Sequence, residues 1–272
     1  MKLLRECLED VEVLLRLNAF LISYLGWMFF GVAYGLLGKW SVDLTGELLK
    51  LPLTSESSIL TILEFTKSIA PLNALFNGVY YLGFTGSIAF AVAYLLLYLR
   101  DLEASDQLMV AYLASYTLAG AFYLVFHVYA PHVVYNIPGY LTESTLLTRQ
   151  EFVCPSLHNA IAAINILTFW KYRERRVAKA LIGINTLIPF STVFLAHHWV
   201  YDVLTGFLLG LGAVKIAERY SRSISWKFYS YEISYLKRIT LFNLILGIIV
   251  LVVAINSDFL TEILARLSMV GG

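Results

Sequence analysis

Seven apolar stretches, each with few charges, run through this chain of 272 residues. A helix needs about 20 apolar residues to cross the ~30 Å hydrocarbon core of a bilayer, and six of the stretches approach or meet that length. In chain order the stretches are 18–37, 76–99, 108–129, 157–170, 178–195, 200–217 and 239–260, of which 157–170 is the short one. The pattern therefore predicts a chain that crosses a membrane repeatedly as helices.

The amino-acid composition excludes several other classes of protein. Hydrophobic residues make up 59% and charged residues 14% of the chain, against about 25% charged residues in a typical soluble domain. The net charge of +1 provides no basic field for nucleic acid, and two cysteines do not make a disulfide framework. We therefore predict an all-α polytopic membrane protein, with a six-helix core, one extra C-terminal transmembrane helix and amphipathic interfacial helices.

Two segments mix charges with apolar residues and are predicted to lie at the membrane surface. Residues 1–17 are expected to form an amphipathic helix, without the cleavage site of a removable signal peptide. Residues 41–70 are expected to form one or two more such helices. No internal repeat divides the chain, so we predict a single membrane domain over 1–272, with its core at about 18–217 and an additional transmembrane helix at 239–260.

The distribution of lysine and arginine predicts the orientation in the membrane. With the N-terminus in the cytoplasm, 15 of the 20 basic residues fall on the inner side and five on the outer side, in agreement with the positive-inside rule. Cys7 then lies inside and Cys154 outside, so the two should not pair. In this orientation the helix ends that carry histidine face outward: His127, His132, His158, His197 and His198.

The first of two patterns at this outer face is Cys-Pro-Ser-Leu-His at 154–158. Proline suits the start of a helix, and Ser156 then lies beside the free N–H groups and the positive end of the helix dipole. Helix N-termini of this kind bind phosphate groups. The pattern predicts a phosphate-binding helix start, with His158 in its first turn.

The second pattern places a histidine four residues before a carboxylate. Ser191 and Thr192 are followed by His198 and then by Asp202, and residues at i and i+4 share one helix face. A carboxylate there can hold one imidazole nitrogen as a donor, which leaves the other nitrogen as a nucleophile or base. Together with His158 as an acid, these groups suit phosphoryl transfer from a lipid.

Pro-Ser-x-His followed about forty residues later by Ser-x6-His-x3-Asp resembles the motifs of the type 2 phosphatidate phosphatase superfamily, which includes lipid phosphatases and membrane phosphotransferases. The resemblance covers roughly residues 108–217. It implies that His198 is the nucleophile that forms a phosphohistidine, that Asp202 orients it, and that His158 protonates the leaving oxygen. It also implies that Ser156 holds phosphate, that the substrate is a lipid phosphate at the outer face, and that no metal or cofactor takes part.

The chain departs from the phosphatase branch of that superfamily, which has a first motif with lysine and Arg-Pro. Residues 123–132 resemble instead the Tyr-x3-Pro-x2-Pro-Pro-Arg stretch of the inositol phosphorylceramide synthase branch, with His127 in place of the first proline and His132 in place of the arginine. Phosphatases also carry arginine where Thr192 stands. Basic phosphate ligands are therefore scarce. The predicted phosphate ligands are Ser156, Ser191, Arg149 and His132.

Several alternatives stay open. A hydrolase that releases phosphate and a head-group transferase of the phosphoinositol type both fit the motifs, and a retained core without catalysis would make a membrane scaffold or transporter. Three histidines and an aspartate can also bind zinc. The lipid, the acceptor alcohol and the oligomeric state stay open as well.

Other small and polar residues are predicted to serve helix packing. Gly206, Gly210 and Gly212 are expected to let neighbouring helices approach closely. Asn159 and Asn165 are expected to form interhelical hydrogen bonds, because they lie along the fourth apolar stretch.

Overall fold

The computed structural model describes residues 9–37, 40–140, 142, 144, 149–221 and 232–270. Residues 1–8, and with them Cys7 and half of the predicted N-terminal surface helix, lie outside the described residues. The helices and short strands of the described part follow in this order: α1 (Val11–Leu37), β1 (Val42–Asp43), α2 (Thr45–Leu48), α3 (Glu56–Ser68), α4 (Ala70–Leu99), α5 (Leu102–Val125), β2 (Phe126–His127), α6 (Pro131–Val134), α7 (Leu157–Trp170), α8 (Arg176–Phe194), α9 (Val200–Tyr220) and α10 (Ile233–Val270).

Within the described ranges, six helices are long and apolar enough to cross a membrane, namely α1, α4, α5, α8, α9 and α10. Helix α7 is a shorter apolar helix. Large apolar side chains such as Phe29, Leu82 and Leu208 stay more than half exposed on these helices, as expected where a helix faces hydrocarbon. The predicted all-α polytopic fold is confirmed, including the short fourth stretch, and the protein is a multi-pass membrane protein.

The first helix is longer than the sequence pattern predicted. Residues 11–17 continue α1 and do not form a separate surface helix. Leu14 is fully buried in a cluster that α1 shares with α10, and Arg16 forms ion pairs with Asp106 of α5 and with Glu12. Because the charged group finds carboxylates inside the bundle, this turn needs no contact with water, and the surface prediction for residues 11–17 was wrong.

The amphipathic segment 41–70 contains two helices, α2 and α3, as predicted. Ser55 is the N-cap of α3, and Ile59 and Leu63 bury the apolar face of this helix in a cluster with the segment 128–137. The two-residue strand β1 pairs in parallel with β2. Sequence patterning did not predict this pairing, since two residues are too few to show alternation.

Helix α9 packs against α5 and α7, and two glycines permit its close approach to α7. A Cβ atom at Gly206 would lie 2.3 Å from the carbonyl oxygen of Ser156, and one at Gly210 would lie 2.6 Å from that of Ala160. The predicted packing role of these two glycines is confirmed. A Cβ atom at Gly212 would meet nothing within 4 Å, so its predicted role was wrong, because position 212 is turned away from the face that 206 and 210 share.

Asparagine side chains link three helices inside the bundle. The Tyr112 hydroxyl of α5 donates to Asn165 Oδ1 at 2.5 Å, and Asn165 Nδ2 donates to Asn185 Oδ1 of α8 at 3.0 Å. Asn159 Nδ2 donates to Thr192 Oγ1 at 3.3 Å, again from α7 to α8. Both asparagines therefore form the predicted interhelical bonds, which satisfy polar groups that hydrocarbon cannot.

The ion pairs of α5 and the motif histidines lie at opposite ends of the helices. Ion pairs join the start of α5 to α1 and to the residue that follows α7. His158 and His198 lie at the other end, where α7 and α9 begin and α8 stops. That the end with the ion pairs faces the cytoplasm stays a prediction.

Candidate active site

Helix α7 begins at the first motif. Ser156 is its N-cap, and Ser156 Oγ accepts a hydrogen bond from Asn159 Nδ2 at 2.8 Å. The Ser156 N–H donates to the backbone oxygen of Asp202 at 3.1 Å, which ties the start of α7 to the first turn of α9. Pro155 lies one residue before the cap, and His158 lies in the first turn, as predicted.

A tight turn between α8 and α9 carries the second motif. Ala196 has a φ of +56°, a left-handed conformation that costs a residue with a Cβ roughly 1 kcal/mol or more. The N–H groups of His197 and His198 both donate to the Thr192 carbonyl oxygen at 3.0 Å. This shared acceptor holds the two histidines directly beyond the end of α8.

Asp202 has a structural partner in addition to a histidine neighbour. Its Oδ2 accepts the Trp199 N–H at 2.7 Å and caps α9, so the helix starts only at Val200. His198 therefore precedes the helix, and the prediction that it shares a helix face with Asp202 was wrong. The carboxylate still lies 3.7 Å from His198 Nδ1, because the cap draws both residues around one turn.

His198 and His158 face each other between the two motifs. His198 Nε2 lies 3.4 Å from His158 Nδ1, and the ring centroids are 5.3 Å apart. On the other side of the ring, His198 Nδ1 lies 3.2 Å from the carbonyl oxygen of Val153. A carbonyl oxygen only accepts hydrogen bonds, so Nδ1 carries the proton and Nε2 keeps a lone pair directed towards His158.

The surroundings of His198 keep its imidazole neutral. The residue is 3% exposed, and burial lowers its pKa to about 4, although the hydrogen bond to Val153 opposes this effect. A neutral imidazole with one free lone pair can act as a nucleophile. The arrangement therefore suits attack on an electrophilic centre placed beside Nε2.

A buried polar layer lies beside the start of α7. Asn159 Nδ2 donates to Ser156 Oγ and to Thr192 Oγ1, and Asn159 Oδ1 is buried without a hydrogen-bond partner among the described residues. Ser191, a predicted phosphate ligand, is fully buried and donates its hydroxyl to the Ile188 carbonyl at 2.8 Å. Its hydroxyl proton is thus used within α8.

Two other predicted phosphate ligands have protein partners other than the motif side chains, although Arg149 Nε is buried without a hydrogen-bond partner among the described residues. Arg149 Nη2 donates to the Gly31 carbonyl of α1 at 2.7 Å. His132 is 3% exposed; its Nδ1 lies 2.9 Å from the Ala196 oxygen and its Nε2 lies 3.0 Å from Gln150 Oε1. In this conformation Arg149 contacts the first helix, and His132 supports the left-handed turn that precedes the two adjacent histidines.

Aromatic rings enclose the histidines, and sequence reasoning missed them. The Tyr80 ring stacks on the rings of His197 and His158, with centroid distances of 4.1 Å and 5.2 Å. The centroid of the Phe84 ring lies 4.3 Å from that of His158. Tyr80 belongs to a π-helical turn, Val79–Gly83, within α4; such turns are frequent at functional sites. No sequence signal identified this residue, since it lies within an otherwise continuous apolar stretch.

Within the described ranges, no group of three or more His, Cys, Asp or Glu side chains is placed to hold a metal ion. Cys154 Sγ lies 3.5 Å from Thr205 Oγ1, and burial raises the pKa of this thiol to about 12. A thiol that keeps its proton is a poor ligand, because metal binding requires the thiolate.

Comparison with known proteins adds a family to this geometry. The family model described as the PAP2 superfamily matches residues 104–229, a range that contains both motifs. The chain is also 29% identical over 204 residues to the uncharacterized protein MJ0662 of Methanocaldococcus jannaschii, a match that covers 74% of this chain and 82% of the relative. No solved structure gives a significant match. Members of the PAP2 superfamily are phosphatases and phosphotransferases, and residues 104–229 of this multi-pass membrane protein are similar to that superfamily.

Proposed function

We propose that the protein cleaves a lipid phosphate ester through a phosphohistidine on His198, at the outer face of the membrane. The observation that carries the proposal is that the two ring nitrogens of His198 have different neighbours. Nδ1 faces the Val153 carbonyl and Nε2 faces His158, so one nitrogen is held as a donor and the other is free to attack. The family match supports phosphate as the group that is transferred.

The reaction would have two steps. His198 Nε2 attacks phosphorus and the bond from phosphorus to the lipid oxygen breaks, while the protonated His158 gives its proton to that oxygen and becomes neutral. The oxygen of water then attacks phosphorus, the P–N bond breaks, one proton of the water returns to His158, and the other stays on the released phosphate. The Asp202 carboxylate, 3.7 Å from His198 Nδ1, stabilises the positive charge that the ring acquires in the phosphohistidine.

Phosphate must separate the two histidines before the first step. A gap of 3.4 Å between His198 Nε2 and His158 Nδ1 is a direct contact and leaves no space for a tetrahedral group. The His198 ring is hydrogen-bonded to the Val153 carbonyl, whereas the His158 ring stacks on Tyr80 and lies tilted against Phe84, and such ring contacts permit rotation. We therefore expect His158 to move when substrate enters.

Head-group transfer is the second candidate function. Thr192 occupies the position where phosphatases carry arginine, and its hydroxyl donates to the Pro189 carbonyl at 2.8 Å, so it adds no positive charge. A phosphodiester or a transferring head group carries less negative charge than a monoester and tolerates this deficit better. In that reaction an acceptor alcohol, such as an inositol hydroxyl, replaces water in the second step, as in the synthase-like branch.

Phosphate release by the purified protein tests the proposal. With a panel of lipid phosphates and a chelator present, we expect metal-independent release that vanadate inhibits. His198→Ala should reduce it to background, and His158→Ala should reduce it by about 10²-fold or more, since general acid help is worth 10²–10⁴. His127→Gln is the matched control, because His127 lies on β2 with its Nδ1 2.7 Å from Ser41 Oγ.

Four outcomes decide between the alternatives. Full activity in His198→Ala would refute the phosphohistidine. A head-group-bearing lipid formed only when an alcohol is added would identify a transferase, whereas free phosphate alone would identify a hydrolase. No turnover of any lipid phosphate by the folded wild-type protein would favour the scaffold or transporter.

A further inference from the structure

A phosphate group carries more negative charge than one protonated histidine balances, and phosphate is bound most strongly by charge-assisted hydrogen bonds, so the site needs a further cation. The basic side chains of the described outer segments differ in how far they are engaged. Lys50 is paired with Glu47, and Arg149 donates to the Gly31 carbonyl. Lys67 forms no ion pair with a described residue, and its ammonium lies 5.3 Å from the centre of the Tyr140 ring.

The Tyr140 ring connects Lys67 to the histidine cluster. It stacks on the His132 ring with a centroid distance of 5.0 Å, and it lies edge-on to the His197 ring with a centroid distance of 5.4 Å. His197 in turn stacks on Tyr80, which also covers His158. Lys67 therefore lies at the rim of the aromatic cluster that encloses the two motif histidines.

The helix that carries Lys67 is anchored beside the site. Ile59 and Leu63 of α3 are buried in one cluster with Val153 and Trp199. Both of these partners adjoin His198, because the Val153 carbonyl accepts the His198 Nδ1–H and Trp199 is the next residue in the chain. Lys67 lies one turn beyond Leu63, in the last turn of α3. Its backbone is thus fixed relative to His198, while its exposed side chain is free to swing.

We propose that Lys67 is a substrate-binding residue that turns from the Tyr140 ring to the phosphate of the bound lipid. This inference rests on the proposed function. A cation–π contact to the half-buried Tyr140 ring is weaker than a charge-assisted hydrogen bond to phosphate, so an arriving phosphate would draw the ammonium off the ring. Lys67 lies outside the range matched by the PAP2 superfamily. The proposed cation therefore comes from the segment between α1 and α4 and not from the matched range.

Vanadate binding to the purified full chain tests this inference independently of turnover. We expect Lys67→Met and Lys67→Gln each to weaken vanadate binding by about tenfold and to raise KM for lipid phosphate, with a smaller effect at high salt because the interaction is between charges. Lys67→Arg should retain most of the affinity. Lys50→Met is the matched control, since Lys50 lies in the same outer segment and is paired with Glu47.

The outcomes separate this inference from the proposed function. If Lys67→Met and Lys67→Gln bind vanadate as tightly as the wild type and keep its KM, the inference fails while the phosphohistidine stands. If Lys50→Met weakens binding as much as Lys67→Met does, the effect is general surface charge and the inference also fails. If the wild type neither binds vanadate nor releases phosphate, the proposed function fails and this inference fails with it.

Discussion

The protonation states of single side chains control what the candidate site can do. His198 has one nitrogen at a backbone carbonyl and the other at His158, and burial keeps the ring neutral. Asp202 uses one oxygen to cap α9 and lies at a longer distance from the same imidazole. The closest acceptor for the His198 Nδ1–H is therefore the Val153 carbonyl, a group that no substitution of its own side chain removes.

The low pKa of His198 predicts how stability depends on pH. In the unfolded chain the histidine pKa is ~6.5, whereas burial lowers it to about 4 in the folded protein. Between these values the unfolded chain binds a proton that the folded protein excludes, so the free energy of unfolding falls as the pH falls through this window. Thermal unfolding of wild type and His198→Gln at pH 7 and pH 5 measures this.

Wild type should lose more thermal stability than His198→Gln when the pH is lowered from 7 to 5. An equal loss in the two proteins would contradict the assigned pKa, because the variant lacks the titrating group and keeps all the others.

At the scale of elements, the site depends on the contact between α9 and α7. Gly206 of α9 faces the carbonyl oxygen of Ser156. One turn earlier in α9, the backbone carbonyl oxygen of Asp202 accepts a hydrogen bond from the Ser156 N–H. The position of the α7 start, and with it His158, is therefore set by how closely α9 approaches.

Replacing Gly206 by alanine should destabilise the protein and impair the site together. The added Cβ would lie 2.3 Å from backbone, and overpacking of this kind typically costs about 1–3 kcal/mol. Gly212→Ala is the matched control on the same helix, since its Cβ would meet nothing within 4 Å, and it should be neutral or slightly stabilising. Thermal unfolding and phosphate release of both variants check this; equal behaviour of the two would count against the packing account.

At the scale of the whole molecule, the distribution of basic residues between the two ends of the helices predicts which way the protein lies in the membrane. Ion pairs cluster where α1 and α5 begin, and the histidine pair lies at the opposite helix ends. The excess of basic residues on the side of the ion pairs predicts that this side is cytoplasmic. The histidines would then meet substrate from the outer leaflet.

Labelling of single cysteines in intact cells measures this orientation. In a background with Cys7→Ser and Cys154→Ser, a membrane-impermeant maleimide should label Lys50→Cys in intact cells and Arg173→Cys only after permeabilisation. Both positions are exposed, so access through the membrane decides the result. The reverse pattern would place the histidines inside the cell and overturn the predicted localisation.

The sequence by itself determined the membrane class, the position of the spans and the two motifs that contain His158 and His198. Span length and residue order are local properties, and an apolar run must become a helix in hydrocarbon whatever its neighbours are. The start of α1 was misjudged because Arg16 finds its carboxylate Asp106 ninety positions away, and no local pattern contains that partner.

Only the tertiary structure decided how the motif residues meet their surroundings. The left-handed turn at Ala196 directs His198 to the Val153 carbonyl, while a π-helical turn in α4 places the Tyr80 ring between His158 and His197. The end of α3 brings Lys67 over Tyr140. These contacts join segments that lie far apart in the chain, and they depend on the angles at which packed helices stop, which residue order alone does not specify.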